Sequence, residues 1–341
     1  MFTAEQISEI KTILNKSKRI VVIPHKNPDG DAIGSTLALS ELLKKIGHQA
    51  EVVSPNDYPK FLKFIPFAKN VFNADFNFAG AEIKIKKADV IFLLDFNTID
   101  RIDELQEVVK QSSAKKILID HHQQPGTFDF VYSDTSMPAT CEMVYHFIQA
   151  MGWDEYLDAD IATCLYVGLL TDTGSFRFPS VQPSTLETAA ALMKKGAIPY
   201  KIQDELLDNA SEAKLRILSK FLDNMQLFPE YKTALFTMTK DELLSNGFEK
   251  GDTDGFVNYG LNLKDYKFSV YMAEDTQKDF IKISFRSKDD FDVSELARTH
   301  FSGGGHINAA GGKSELSLKE TVEKFVNLLP EYAEKLNNSH S

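Results

Sequence analysis

Residues Arg19 to Gly47 read RIVVIPHKNPDGDAIGSTLALSELLKKIG, and their reading decides the fold. Arg19 to Pro24 is a short apolar run rich in β-branched residues, which predicts a buried strand. His25 to Asp31 is a polar loop. Ala32 to Ile46 spaces its apolar residues as a helix, and Gly47 supplies the stop. The same order recurs downstream. Strands are expected at about Ala50 to Val53, Ala88 to Leu94, Lys116 to Ile119 and Phe128 to Tyr132. Helices are expected near Ile102 to Gln111, Ala139 to Met151 and Asp158 to Leu170. This alternation implies the α/β class: a mainly parallel N-terminal sheet with helices on both faces. A first helix precedes it, with a capping box over Thr3 to Gln6 and apolar residues at Ile7, Ile10 and Leu14.

From Pro183 to about Met225 the pattern is helical without an intervening strand (STLETAAALMKKG, YKIQDELLDN, SEAKLRILSKFLDNM). A second, smaller α/β unit then begins. Its strands are expected at Lys232 to Met238, Phe268 to Ala273 and Phe280 to Phe285, and its helices near Val293 to His300 and Leu318 to Leu336. The expected organisation is a catalytic domain at 1–182, a helical connector at 183–226 and a substrate-binding domain at 227–341. The active site is expected in the cleft between the two domains.

The length, 341 residues, allows two domains, and a 43% hydrophobic content can build their cores. The net charge of −11 argues against coating long duplex DNA or other long nucleic acid, which needs many phosphate-neutralising cations. Cys141 and Cys164 form no CxxC pair and lie in apolar helical patterns, so they read as buried free thiols. No apolar run approaches a membrane span and no signal-peptide core is present, so a cytoplasmic protein without membrane partners is expected. A homodimer is compatible with the sequence.

Four acid- and histidine-rich segments follow buried elements: HKNPDGD (His25, Asp29, Asp31), LLDFN (Asp95), LIDHH (Asp120, His121, His122) and LLTDTGSF (Asp172). Chemistry in open α/β sheets gathers at the carboxyl ends of strands. Each segment has a plainer reading taken alone. PDGD can be a turn in which Asp31 caps the next helix, Asp95 a satisfied strand-end carboxylate, and Asp172 a turn residue beside Gly174. His121 and His122 are adjacent, so on an extended chain their side chains point in opposite directions. One is then an easy ligand for a given metal, and the other faces the substrate. Together, two histidines and four aspartates make a mixed N/O set suited to two divalent cations, Mn²⁺ first and Mg²⁺ as the alternative. Two such ions roughly 3.5–4 Å apart suit phosphate ester hydrolysis.

These motifs resemble those of the DHH phosphoesterases, named for the triplet Asp120-His121-His122. The resemblance covers nearly the whole chain, because SGGGHINAAGG (Ser302 to Gly312) is similar to the glycine-rich loop of the DHH-associated C-terminal domain. TDTGSFRF is similar to the nanoRNase branch, oligoribonucleases that also dephosphorylate 3′-phosphoadenosine 5′-phosphate. The resemblance implies that His25, Asp29 and Asp95 hold one metal. It implies that Asp31, Asp95, His121 and Asp172 hold the second, with Asp95 shared. Asp120 would orient a neighbouring ligand, and His122 would contact the substrate phosphate or move a proton. Asn27 and Arg101 would line the site. Two departures are visible. Asp103 stands where many members carry glycine, and Gln123 to Pro125 replace an expected asparagine after the triplet.

In the C-terminal segment, Gly303, Gly304 and Gly305 let backbone N–H groups approach an anion, with His306 and Arg286 as phosphate partners. The plainer alternative is a tight turn, with AAGG allowing close helix packing. The expected function is hydrolysis of short oligoribonucleotides to mononucleotides, with removal of the 3′-phosphate of 3′-phosphoadenosine 5′-phosphate as a second activity. Linear dinucleotide hydrolysis and a non-catalytic nucleotide-binding module are the alternatives. GGGH weighs against an inorganic pyrophosphatase, the acidic balance against a processive exonuclease of the RecJ type, and the missing GxGxxG against a redox Rossmann enzyme.

Overall fold

The computed structural model describes residues 2–207 and 210–337. The chain divides into two units, Met1–Asn209 and Ala210–Ser341. In the first, α1 (Ala4–Ile13) is followed by β1 (Arg19–Pro24), α2 (Gly30–Lys45), β2 (Gln49–Ser54), β3 (Phe72–Asn73) and α3 (Phe78–Lys87). Then come β4 (Val90–Leu94), α4 (Leu105–Gln111), β5 (Lys115–Asp120), β6 (Phe130–Ser133), α5 (Thr140–Met151), α6 (Ala159–Asp172), α7 (Pro183–Lys194) and α8 (Pro199–Leu207).

The six strands pair in the order β3-β2-β1-β4-β5-β6, and every pairing is parallel. The central strands β1 and β4 are nearly continuous apolar runs because the sheet is covered on both faces. Ile20, Val22, Phe92, Leu94, Ile117 and Ile119 pack into one core with α2, α5 and α6. Val21, Ile23, Ile91, Leu93 and Leu118 pack into the other with α3 and α4. The strand order reverses direction between β1 and β4. That switch point leaves a crevice at the carboxyl ends of the strands.

Several local expectations shift. α2 starts at Gly30, and its N-cap is Asp29, whose carboxylate accepts from the N–H groups of Asp31 (3.0 Å) and Ala32 (3.1 Å). Asp31 therefore does not cap this helix. α4 starts three residues later than expected. Residues Ile99–Ile102 form a 3₁₀ turn, and Asp103 sits at φ 50, ψ −128. That backbone shape favours glycine and breaks the helix. It accounts for the glycine expected there, and the Asp103 carboxylate is ion-paired to Lys26. β3 and α3 were not anticipated. Only Ala81 and Ile85 of α3 are fully buried, which gives a weak apolar period.

The second unit holds α9 (Glu212–Asp223), β7 (Gln226–Phe228), β8 (Thr233–Met238), α10 (Lys240–Ser245), β9 (Phe268–Glu274), β10 (Ile281–Ser287) and α11 (Val293–His300). It ends with β11 (Gly304–His306), β12 (Ala309–Ser314) and α12 (Leu318–Asn337). Its sheet is mixed, in the order β11-β12-β10-β9-β8-β7, with β8 and β9 parallel. The division between units falls inside the segment expected as a connector. α7 packs on α5 and α6, and α9 packs on β8. The expected helix at 200–209 runs partly outside the described residues, at 208–209. The glycine-rich segment is a β-hairpin, with Gly304 opposite Gly311 and His306 opposite Ala309. A Cβ on Gly303 would fall 1.9 Å from the Gly311 carbonyl oxygen, so side-chain-free backbone is needed for the strands to meet.

Candidate metal centre

His25 follows β1, Asp95 follows β4, and Asp120 closes β5, so adjacent parallel strands deliver all three to the switch-point crevice. Asp29 is the N-cap of α2, Asp31 lies in its first turn, and Asp172 ends α6. Asp95 leaves its strand at φ 67, a left-handed conformation that aspartate tolerates better than most residues.

The donor atoms converge in three overlapping groups: His25, Asp29 and Asp95; Asp31, His121 and Asp172; and Asp95, His121 and His122. Within each group they lie within 4.8 Å of one another. His25 Nε2 is 3.6 Å from Asp95 Oδ2 and 3.8 Å from Asp29 Oδ2. His121 Nε2 is 3.4 Å from both Asp95 Oδ1 and Asp172 Oδ2. Asp95 and His121 thus link all three groups. Every residue expected as a ligand is in the cluster.

The two histidines do not point apart as the alternation of a strand predicts. β5 ends at Asp120, so both lie beyond the regular strand, and their rings meet edge-on with centroids 4.8 Å apart. His122 turns Nδ1 to Asp120 Oδ1 at 2.7 Å, while also lying 3.9 Å from Asp95 Oδ1. Asp120 is fully buried and holds this ring.

Burial, then the nearby Asp31, Asp29 and Asp120 carboxylates, push the Asp95 carboxyl well above the ordinary carboxylate range. Asp172 is pushed well above it by burial and then by Asp31 and Asp29. Burial also raises Asp31. Burial lowers His25. For His121 burial acts downward, but Asp172, Asp31 and Asp120 outweigh it and the imidazole ends raised. The ion pairs of these carboxylates run to histidines, so the cluster would carry excess negative charge whenever the carboxylates are ionised. Carboxylate and imidazole donors crowded in this way fit divalent cations that accept oxygen and nitrogen ligands. Neither cysteine is part of the donor set. Both are buried free thiols, and burial raises both.

Sequence reasoning did not place Thr140, Cys141 or Asn56 at the site, and read Cys141 only as a buried free thiol. Asp31 accepts from the N–H groups of Thr140 (2.6 Å) and Cys141 (2.8 Å), and Thr140 Oγ1 donates to Asp95 Oδ1 at 3.0 Å. A helix beginning at ATCE, with no capping side chain before it, was the available signal. Asn56 accepts from the Asn27 N–H (2.6 Å) and donates to Asn27 Oδ1 (2.7 Å), holding Asn27 at φ 55. Arg101 lies on the neighbouring 3₁₀ turn, where its carbonyl accepts from the Lys26 N–H at 2.8 Å.

In the second unit, Arg286 pairs with Ala309 across β10 and β12, and His306 pairs with Ala309 across β12 and β11. Residues directly opposite in register share a sheet face. Arg286 and His306 therefore stand in one row, on the face opposite the core that contains Phe285 and α12. Burial lowers the Arg286 guanidinium, and the Asp254 carboxylate acts in the opposite direction.

Residues 19–169 match the DHH family, N-terminal domain, and residues 233–335 match the DHHA1 domain. The chain is 29% identical over 314 residues to the bifunctional oligoribonuclease and PAP phosphatase NrnA of Thermus thermophilus, covering 92% of this chain and 89% of that one. The Bacillus subtilis protein of the same name is 28% identical over 298 residues, covering 86% and 88%. The crystal structure of an exopolyphosphatase-related protein from Bacteroides fragilis superposes with a TM-score of 0.96 at 35% identity, covering 99% of both chains. With the DHH N-terminal domain matched over residues 19–169 and the DHHA1 domain over residues 233–335, the chain belongs to the DHH family.

Proposed function

We propose that the protein is a divalent-cation-dependent phosphoesterase that hydrolyses short oligoribonucleotides to mononucleotides and removes the 3′-phosphate of 3′-phosphoadenosine 5′-phosphate. The observation that carries this reading is the linked cluster of His25, Asp29, Asp31, Asp95, His121 and Asp172 at the switch point of a DHH-family sheet. The names of the Thermus and Bacillus relatives supply the substrate classes.

His25, Asp29 and Asp95 would hold one cation, and Asp31, Asp95, His121 and Asp172 the other, with Mn²⁺ favoured over Mg²⁺ because imidazole joins the donor set. Bound there, the cations would neutralise phosphoryl charge and activate water for phosphoester hydrolysis. The remaining residues do the positioning. Asp120 fixes the His122 ring through Nδ1, so proton exchange with the substrate runs through Nε2. Arg286 offers a planar fork for a phosphate, and His306 in the same row offers a second contact. Asn27 and Arg101 line the approach to His25.

The test is an incubation of purified protein and Mn²⁺ with end-labelled RNAs of roughly 2 to 20 nucleotides, where few phosphate contacts should favour the short ones. 3′-Phosphoadenosine 5′-phosphate, pApA and pyrophosphate run as parallel arms. Mononucleotide release from the shortest RNAs supports the proposal. Exclusive cleavage of pyrophosphate, or no hydrolysis in any arm, overturns it.

A further inference from the structure

We infer that Thr140 is a positioning residue of the metal centre: its hydroxyl and the amino end of α5 hold Asp95 and Asp31 in ligating orientation. This rests on the cation-dependent reading above and adds a residue to it. The start of α5 is unusual. The N-cap position is Ala139, which has no side chain to accept from the first turn. The leading N–H groups of the helix go instead to a carboxylate that arrives from α2. Asp31 Oδ2 accepts from Thr140 N–H (2.6 Å) and Asp31 Oδ1 from Cys141 N–H (2.8 Å). The Thr140 hydroxyl then donates to Asp95 Oδ1 at 3.0 Å. One residue thus contacts two carboxylates from different elements, and Thr140, Asp31 and Asp95 are all buried.

The consequence follows from electrostatics. Asp29, Asp31, Asp95 and Asp172 repel one another when ionised, and their rotamers would spread without an anchor. The amino end of a helix carries partial positive charge, so α5 offsets part of that repulsion. Its donors also fix which way each carboxylate faces. A carboxylate oxygen has two lone-pair directions, so Asp95 Oδ1 can accept from Thr140 and still present a lone pair toward His121 Nε2, 3.4 Å away. Asp95 Oδ2 remains on the His25 side, at 3.6 Å. The helix itself is held in place by close packing. A Cβ on Gly168 of α6 would fall 2.2 Å from Cys141 Sγ and 2.5 Å from Asp31 Oδ1.

Thr140→Val keeps the shape and both backbone donors and removes only the hydroxyl. Thr140→Ser keeps the hydroxyl. Each protein is stripped with EDTA and titrated with Mn²⁺ by calorimetry, and kcat and KM are measured on a dinucleotide. Thr140→Val is expected to weaken Mn²⁺ binding about 10- to 100-fold and lower kcat, leaving KM nearly unchanged. Thr140→Ser is expected to stay within about twofold of wild type, the scatter tolerated for a retained outer contact. Equal Mn²⁺ affinity in Thr140→Val and wild type overturns the inference, and so does an equal loss in Val and Ser variants. If Thr140→Val fails to fold by circular dichroism, Thr140→Ala compared with Thr140→Ser is judged on the same criteria. A wild-type protein that takes up no Mn²⁺ would defeat the metal centre itself, which separates the two failures.

Discussion

Asp95 is the residue on which the cluster turns. It reaches His25 on one side and His121 on the other, and its carboxyl is crowded by the Asp31, Asp29 and Asp120 carboxylates. Asp95→Ala is expected to lose more activity than the ~10- to 100-fold typical of an outer contact, because the proposed assignment makes it a ligand shared by both cations. Metal analysis of the variant should show depleted sites, and full metal stoichiometry would count against the assignment. The carboxyl shifts also predict a pH dependence. Asp31, Asp95 and Asp172 are raised in the folded state, so their contribution to stability is present below the ordinary value of 3.8 and is lost as pH rises through the folded values. Cations bind the ionised form and reverse that loss. The gap between the melting temperatures of Mn²⁺-loaded and EDTA-stripped protein should therefore widen from about pH 5.5 to about pH 8. A gap that narrows over this range would contradict the carboxylate assignment.

Elements place these residues, and the packing of α2, α5 and α6 is the tightest constraint. Gly168 lets α6 approach Cys141 and Asp31. Gly168→Ala is expected to cost about 1–3 kcal/mol, the range for overpacking a well-filled core, and to weaken Mn²⁺ binding by displacing Asp31. Urea denaturation checks the first effect and calorimetry the second. Adding Cys141→Ala should recover part of the stability, because it removes the nearest clashing atom. A Gly168→Ala protein as stable as wild type would show that the contact yields freely. At this scale the sequence was legible where periodicity was strong. The expected Val293 to His300 helix has the observed ends, and β1 matches Arg19 to Pro24. It was poorly legible where backbone shape decided. α4 was misplaced because nothing in a periodicity count marks Asp103 as a left-handed stop.

Across the whole molecule, the candidate metal ligands lie in the first unit and the phosphate-binding candidates Arg286 and His306 in the second. Arg286→Ala and His306→Ala are expected to raise KM about tenfold or more, as loss of a hydrogen bond to a charged group costs about 1.5–3 kcal/mol. Metal content should not change. An emptied metal site in either variant would mean that the units are not divided in this way. The net charge of −11 further predicts that rate per RNA end falls as the chain lengthens beyond about five nucleotides, since so few cations can grip phosphates. Equal rates on a 3-mer and a 20-mer, lengths chosen as roughly below and above that reach, would instead indicate processive capture.

The sequence by itself determined the α/β class, the strands that carry the site, the six ligand candidates and the family. These are properties of local pattern: apolar periodicity writes the strands, and polar residues at their ends have no core to enter. The tertiary structure alone decided the rest. It set the strand order that makes a switch point between β1 and β4, and it turned His121 and His122 to the same carboxylate. It also brought Thr140 to Asp31 and Asp95 across 109 and 45 residues of chain. A helix start without a cap declares that it needs an acceptor. Which of the chain's carboxylates supplies it is settled only when α2 and α5 pack together, because hydrogen bonds act over a few ångströms whatever the separation in sequence.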